Sequence, residues 1–361
     1  MTPFWHHVSN SLVGVLISMA AASPWAGAQT RTETACVSCH RSQSETQPQT
    51  PMAHALEFPS SDPTLQANPK LTVRKGAYTY TVETKGATST YSVTDGSRTI
   101  TLPIRWSFGE GSQTWVFERE GNWYEGLVSY YPALKALDTT IGDGALTPQN
   151  LEEAMGRKLL PTEIKDCFGC HSTGAVRKDE FNPAALQPGV TCEHCHQGAS
   201  AHLLDAVQGQ FDSAPPRLSK LSSEDISNFC GQCHRTWEAV VRNHWRGLID
   251  VRFQPYRLAN SKCFDGTDPR ISCLACHDPH QQLVRQDSTY DSKCLACHGS
   301  SAIGPSSSSP ASVATSVPKS CPVSKSECVS CHMPRIALPG GHVSFTDHEI
   351  RVVRTGDAYP N

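Results

Sequence analysis

One cysteine spacing is repeated seven times in a chain of 361 residues. It appears as Cys36-x-x-Cys39-His40, then at Cys167/Cys170/His171, Cys192/Cys195/His196, Cys230/Cys233/His234, Cys273/Cys276/His277, Cys294/Cys297/His298 and Cys328/Cys331/His332. These motifs use 14 of the 16 cysteines. At this composition about 0.03 such motifs would arise by chance in the whole chain. Two sulfurs three residues apart on one helical turn reach the two vinyl carbons of a porphyrin. The residue after them then lies under the macrocycle, where an imidazole nitrogen meets the iron, so C-x-x-C-H is a haem-attachment pattern. Zinc ribbons need CxxC pairs in even number and have no use for His directly after the second Cys. A disulfide framework would not repeat one spacing, and a thioredoxin-like CxxC occurs once, beside a βαβ unit. The sequence therefore predicts seven covalently attached haem c groups, with His40, His171, His196, His234, His277, His298 and His332 as proximal iron ligands.

Outside the motifs and the N-terminal leader stand seven more histidines: His54, His194, His202, His244, His280, His342 and His348. A second axial ligand saturates an iron and favours electron transfer, whereas a catalytic haem needs an open position. His280 lies three residues past His277, too near to cap the same iron from the opposite face but well placed for a neighbouring haem. His202, His244, His342 and His348 are read in the same way, as distal ligands rather than ordinary surface or core histidines. His194 sits inside a motif and is read as a non-ligand. His54 follows Met52, so the first haem has two candidate caps; a Met would raise its potential relative to a His. If one iron is left Met-capped or five-coordinate, a catalytic haem becomes available. No residue is assigned a catalytic role.

Lys+Arg 31 against Asp+Glu 34 leaves a formal charge of -3, which argues against a nucleic-acid partner. Residues 1–28 read as a signal peptide: Ser11–Ala22 is apolar but too short to span a bilayer, and Ala26-Gly27-Ala28 is a small-x-small cleavage site. Export to the periplasm or beyond follows, with no transmembrane segment after cleavage. Residues 29–70 carry the first haem, and 71–131 alternate like an antiparallel meander, with strands at Ala77–Thr84, Ser89–Thr94, Arg98–Phe108, Thr114–Glu118 and Trp123–Tyr130. Trp106, Trp115, Phe117 and Trp123 read as that sheet's buried face rather than a substrate platform. Residues 132–166 read as a helical linker and 167–361 as a hexahaem domain, including a helix at about Asp225–Leu248. Ser300–Pro318 is a Ser/Pro/Ala-rich loop. With sites this close, porphyrins supply most of the interior. The expected fold class is mainly α and irregular, a haem-packed multihaem cytochrome c fold with a small antiparallel β-meander insert. Cys263 and Cys321, outside all motifs, are expected to pair as a disulfide in an oxidising compartment.

Gly189-Val190-Thr191-Cys192-Glu193-His194-Cys195-His196, followed by His202, resembles the GVxCExCH…H segment of multihaem cytochromes related to the tetrahaem cytochrome c of ammonia oxidisers. Cys276-His277-Asp278-Pro279-His280 and Cys331-His332-Met333-Pro334 recur in that superfamily, which includes hydroxylamine oxidoreductase and pentahaem nitrite reductase. The stretch Arg252–Leu258 and the ending His342…Thr346-Asp347-His348 resemble exported bacterial multihaem proteins. The resemblance spans about residues 36–60 and 100–350. It implies bis-His ligation by His202, His280, His342 and His348 and closely stacked haem pairs. The chain departs from the nitrite reductases in having no CxxCK, and from hydroxylamine oxidoreductase in having seven motifs rather than eight and no assignable cross-linking Tyr. The expected function is transfer of electrons between redox partners, other redox proteins or quinol-linked membrane dehydrogenases. The alternatives are reduction or oxidation of a small nitrogen or sulfur compound at one open haem, and a subunit of a larger cytochrome assembly.

Overall fold

The computed structural model describes residues 36–299, 321–354 and 356–360. The leader with its cleavage site and the whole of the Ser/Pro/Ala-rich run lie outside the described residues.

The expectation of a mainly helical chain with a small β insert is corrected by a large antiparallel sheet. Its strands are β1 (Leu56–Glu57), β2 (Lys70–Lys75), β3 (Tyr78–Lys85), β4 (Thr88–Thr94), β5 (Thr99–Phe108), β6 (Thr114–Arg119), β7 (Asn122–Gly126) and β10 (Gly156–Lys158). They run in the order β10-β7-β6-β5-β4-β3-β2, with β1 paired to β5 off that path. A separate hairpin joins β8 (Val128–Tyr131) to β9 (Ala136–Thr139). The reason is one long strand. The first half of β5 pairs with β4 and the second half with β6, with a register shift between Ile104 and Trp106. Such a bulge bends a strand and adds twist. The first half alternates in burial, while Trp106, Ser107 and Phe108 are all buried, because this end is covered on both faces.

Two apolar clusters result. One face collects Tyr80, Val82, Tyr91, Val93, Trp115 and Phe117 under the short helix Leu151–Met155. The other collects Leu56, Trp106, Phe108, Val116, Leu159, Phe168 and Leu186. Trp106, Trp115 and Phe117 are thus core residues, and Trp123 packs half-buried at the edge of the second cluster.

The segment read as a helical linker holds β9, the five-residue helix Leu151–Met155, β10 and the start of a second helix. Gly142, Gly144 and Pro148 interrupt any long helix, and Gly156 passes the chain straight into β10, which pairs with Tyr124–Gly126. Helix Pro161–His171 begins with Pro at its first turn and a Glu163 carboxylate accepting from the Leu160 N–H at 2.8 Å. Phe168, fully buried, anchors it to the sheet: its ring meets Trp106 edge-on at 4.7 Å and Phe108 at 5.1 Å.

Beyond residue 187 the described chain is short helices and irregular backbone, and apolar burial thins to Val190, Ile226, Val240, Val251, Phe253, Leu258, Val329 and Leu338. The single helix expected near 225–248 is two, Ser223–His234 and Trp237–Arg242. Arg235 stands at φ +68° between them, and the Thr236 hydroxyl accepts from the Ala239 N–H at 3.0 Å to start the second. A hairpin, Arg335–Leu338 with Val343–Thr346, closes the chain.

Candidate haem sites

Every motif forms one helical turn. In the first, third and fifth, the His N–H donates to the carbonyl of the first Cys at 2.8 Å (His40 to Cys36), 2.8 Å (His196 to Cys192) and 2.9 Å (His277 to Cys273). The second and fourth close the helices ending at His171 and His234, and the sixth and seventh lie in Asp291–His298 and Cys328–His332. The i, i+3 spacing then puts both sulfurs of a motif on one face. Asp291 joins the last two: its carboxylate accepts from the Cys328 and Glu327 N–H groups, both at 2.9 Å, capping the seventh turn.

The motifs, scattered over nearly 300 positions of sequence, meet in space. Thiols touch in three pairs: Cys170 with Cys233, Cys230 with Cys273, and Cys294 with Cys328. His171 and His277 both lie within the electrostatic reach of His234, Cys195 of Cys230 and Cys233, Cys276 of Cys294, and His40 of His196. These neighbours form one unbroken path, first–third–fourth–fifth–sixth–seventh, with the second beside the fourth.

The second sulfurs of the motifs differ in surroundings. Those of the first, fifth and seventh, Cys39, Cys276 and Cys331, are exposed. Cys297, expected as the second attachment sulfur of the sixth, is half-buried and, like Cys195 and Cys276, lies outside the three thiol pairs above. It lies instead within the electrostatic reach of Cys294, of Arg270 and of Cys263, which belongs to no motif.

Two histidine pairs stand at a separation that fits an iron. His196 and His280 have ring centroids 6.0 Å apart with 8° between their planes. His277 and His348 are 6.3 Å apart at 42°. Metal–imidazole bonds of about 2 Å on each side, plus the depth of the two rings, sum to about 6 Å. Several rings are already turned for ligation. The Nδ1 of His171 lies 2.9 Å from the Ala55 carbonyl, that of His332 2.9 Å from the Arg351 carbonyl and that of His348 2.9 Å from the Thr346 carbonyl. A carbonyl only accepts, so the proton sits on Nδ1 and the Nε2 lone pair is free. Burial lowers the pKa of His171, and it holds His348 down at about 4, so both imidazoles are neutral at neutral pH, as ligation requires.

The other candidates are placed differently. His202 projects from helix Ala199–Ala206 with its Nδ1 sealed from solvent and unpartnered. His54 is exposed and its Nδ1 meets Glu57 at 2.5 Å. His342 spends its Nε2 on Asp138 of β9, 2.8 Å away, with Tyr131 edge-on to the ring at 4.9 Å. His244 is exposed at φ +53°, just past helix Trp237–Arg242. His194 hydrogen-bonds the backbone at Ser172, and its Nε2 lies 3.9 Å from the Cys233 sulfur. Cys263 and Cys321 are both free thiols, so the expected bridge is not formed here.

Sequence reading missed the framework behind His348. Arg257 and Asp347 are almost wholly buried. The Arg257 Nε and Nη2 donate to the two Asp347 oxygens at 2.8 and 3.0 Å, Arg351 adds 2.5 Å, and Glu349 meets Arg257 at 2.6 Å. The guanidinium stacks 4.6 Å over Tyr359. This fork-to-fork pair fixes the residue next to His348. Both partners belong to the Arg252–Leu258 and His342–His348 stretches, but 90 residues apart nothing in the sequence pairs them. The first-haem segment is seated by a second non-local contact. The Val190 N–H donates to the Met52 carbonyl at 2.9 Å and the Gln47 amide to the Val190 carbonyl at 2.6 Å.

The described residues that surround the motifs thus fit covalent haem: paired sulfurs on one face, imidazole pairs separated by an iron's width, orphaned polar atoms, and few aliphatic side chains to fill the interior. Residues 143–197, which contain the second and third motifs, match the sequence family described as cytochrome c554 and c-prime. With the repeated motif, this supports a multihaem c-type cytochrome that carries haem c and transfers electrons. A search of curated proteins gives no match. Among solved structures, one described as the outer cell wall cytochrome OcwA is similar at 14% identity and a TM-score of 0.47, over 89% of this chain and 79% of that one. Among the described residues no helix is long and apolar enough to cross a membrane.

Proposed function

We propose that the chain is a heptahaem electron conduit, exported and soluble after leader cleavage, that passes electrons between redox partners such as other redox proteins or quinol-linked membrane dehydrogenases. The observation that carries this reading is the unbroken path of neighbouring motifs from the first to the seventh. Each haem supplies one-electron exchange between Fe(III) and Fe(II) when bound. The chain's own residues fix where that exchange happens. His196 with His280, and His277 with His348, hold the third and fifth sites from both faces. Backbone carbonyls at Ala55, Arg351 and Thr346 fix the orientation of His171, His332 and His348. The sheet sets the second site through Phe168. His202, His54, His244 and His342 are the remaining distal candidates, with Met52 as the alternative at the first.

A pyridine haemochrome assay with intact mass tests the count: seven haems per chain is expected, and a colourless chain with the mass of bare polypeptide refutes the reading. An electron paramagnetic resonance spectrum of the oxidised protein then counts low-spin and high-spin irons. A second reading, reduction of a small nitrogen or sulfur compound at an open haem, draws on one observation: His54 and His342 each already engage a carboxylate. Turnover of nitrite, hydroxylamine or tetrathionate with reduced viologen dye would favour it.

A further inference from the structure

Arg252 is a half-buried cation that makes no ion pair among the described residues. Its Nε is sealed from solvent and has no hydrogen-bond partner. The charged group that acts on it is a second cation, Arg235, and burial together with that neighbour depresses its pKa below the ordinary guanidinium range. Arg235 in turn lies 5.1 Å over the Trp245 ring, which packs against Phe253 at 5.2 Å. The carboxylate near Arg235 is that of Asp166, 3.4 Å away and largely exposed. A guanidinium nitrogen sealed from water without an acceptor is costly, and a second cation beside it raises the cost.

The location is specific. Arg235 directly follows His234, and Asp166 directly precedes Cys167. Arg252 is two residues from Gln254, whose side chain hydrogen-bonds His234. The two guanidinium groups therefore stand at the junction of the second and fourth motifs, where the Cys170 and Cys233 thiols meet. A guanidinium fork matches the two oxygens of a planar oxyanion, and an aromatic wall behind it removes competing water.

We propose that Arg235 and Arg252 form a clamp for a carboxylate-type anion at the junction of the second and fourth motifs. The inference rests on the cytochrome reading above. Two sources share this chemistry: a propionate of a porphyrin attached at Cys167/Cys170 or Cys230/Cys233, and a free planar anion such as acetate or nitrite.

The test is a spectroelectrochemical redox titration of the purified, haem-loaded protein beside Arg252→Gln and Arg252→Lys, each with and without added acetate or nitrite. With a propionate in the clamp, the parent ignores both anions. Arg252→Gln keeps its haem content but moves one component of the titration to a more negative potential, because a positive charge that stabilised the reduced iron is gone, and Arg252→Lys restores most of the shift. With a free anion, one component of the parent shifts saturably on addition, and Arg252→Gln abolishes the response. Where Arg252→Gln does not accumulate, Arg235→Gln carries the same comparison. An Arg252→Gln titration that superimposes on the parent, with no anion response in either, overturns the clamp. A parent without haem would instead sink the cytochrome reading and the propionate source with it; the free-anion arm is then read from the melting temperature with and without acetate or nitrite.

Discussion

Replacing Asp347 with Ala should release His348 without touching it. Asp347 is fully buried and accepts from Arg257 at 2.8 and 3.0 Å, from Arg351 at 2.5 Å and from the Glu349 N–H at 3.1 Å. Removing one partner of a buried ion pair strands the other charge and costs about 3–5 kcal/mol. At about 1.4 kcal/mol per decade, that raises the population in which the 347–349 segment is undocked by roughly a hundred- to several-thousand-fold. The expected readout is in the oxidised protein's electron paramagnetic resonance spectrum. One low-spin iron is partly replaced by a high-spin signal, and added imidazole, by taking the vacated position, reverses the change. Arg257→Met should do the same, and the double variant should cost less than the sum of the singles, since both remove one interaction. Spectra identical to the parent, or strictly additive losses in melting temperature, would refute the argument that this pair holds His348.

Gly189→Ala places a Cβ 1.8 Å from the Ala53 carbonyl oxygen at φ +68°, so the 47–54 segment must undock; faster proteolysis near residue 50 with the sheet intact is expected. Phe168→Ala empties a site walled by Trp106, Phe108 and Phe181, and should cost about 3–5 kcal/mol in thermal or denaturant unfolding while perturbing the second haem's spectrum before the others. Burial alone would raise the pKa of Asp138, but hydrogen bonds from Lys75, the Thr139 N–H and His342 bring it down to about 2. A carboxylate whose folded pKa lies below its unfolded value of about 4 adds stability above that value and loses it as pH falls toward 2. The protection of the Ala136–Thr139 and Val343–Thr346 amides, relative to their intrinsic exchange rates, should therefore fall between pH 4 and pH 2, and unchanged protection would count against the link.

The elements that were legible in the sequence are those with strong local signals. Strands expected at Ala77–Thr84, Ser89–Thr94, Arg98–Phe108 and Thr114–Glu118 fall within a residue of Tyr78–Lys85, Thr88–Thr94, Thr99–Phe108 and Thr114–Arg119, because Lys85-Gly86, Asp95-Gly96 and Gly109-Glu110-Gly111 mark the turns. The fifth, Trp123–Tyr130, is two strands divided at Leu127. Edge strands escaped notice: Lys70–Lys75 is half charged, and Gly156–Lys158 is too short for any period to show. Their pairing with distant partners makes them strands, and so turned an expected insert into the largest element of the fold. The CxxCH turns follow from local spacing alone. What caps each iron does not, since His280 faces His196 from across 84 positions and Arg257 reaches Asp347 across 90, and such partners are chosen by tertiary packing. The neighbours of Cys297 are hidden for the same reason, and the unpartnered Nε of Arg252 shows only once burial is known.

The unequal sharing of aliphatic and aromatic side chains between the two parts of the chain bears on how it would mature as haem is attached. The sheet owns its interior and can collapse as soon as it is synthesised, whereas the stretch beyond residue 187 has little to condense around until pigment is ligated to its sulfurs. A polypeptide that leaves the attachment machinery one macrocycle short would be a finished scaffold joined to a loose tail, and quality-control proteases would find their cleavage sites in that tail. Cofactor supply, more than intrinsic sequence stability, would then set how much intact protein accumulates.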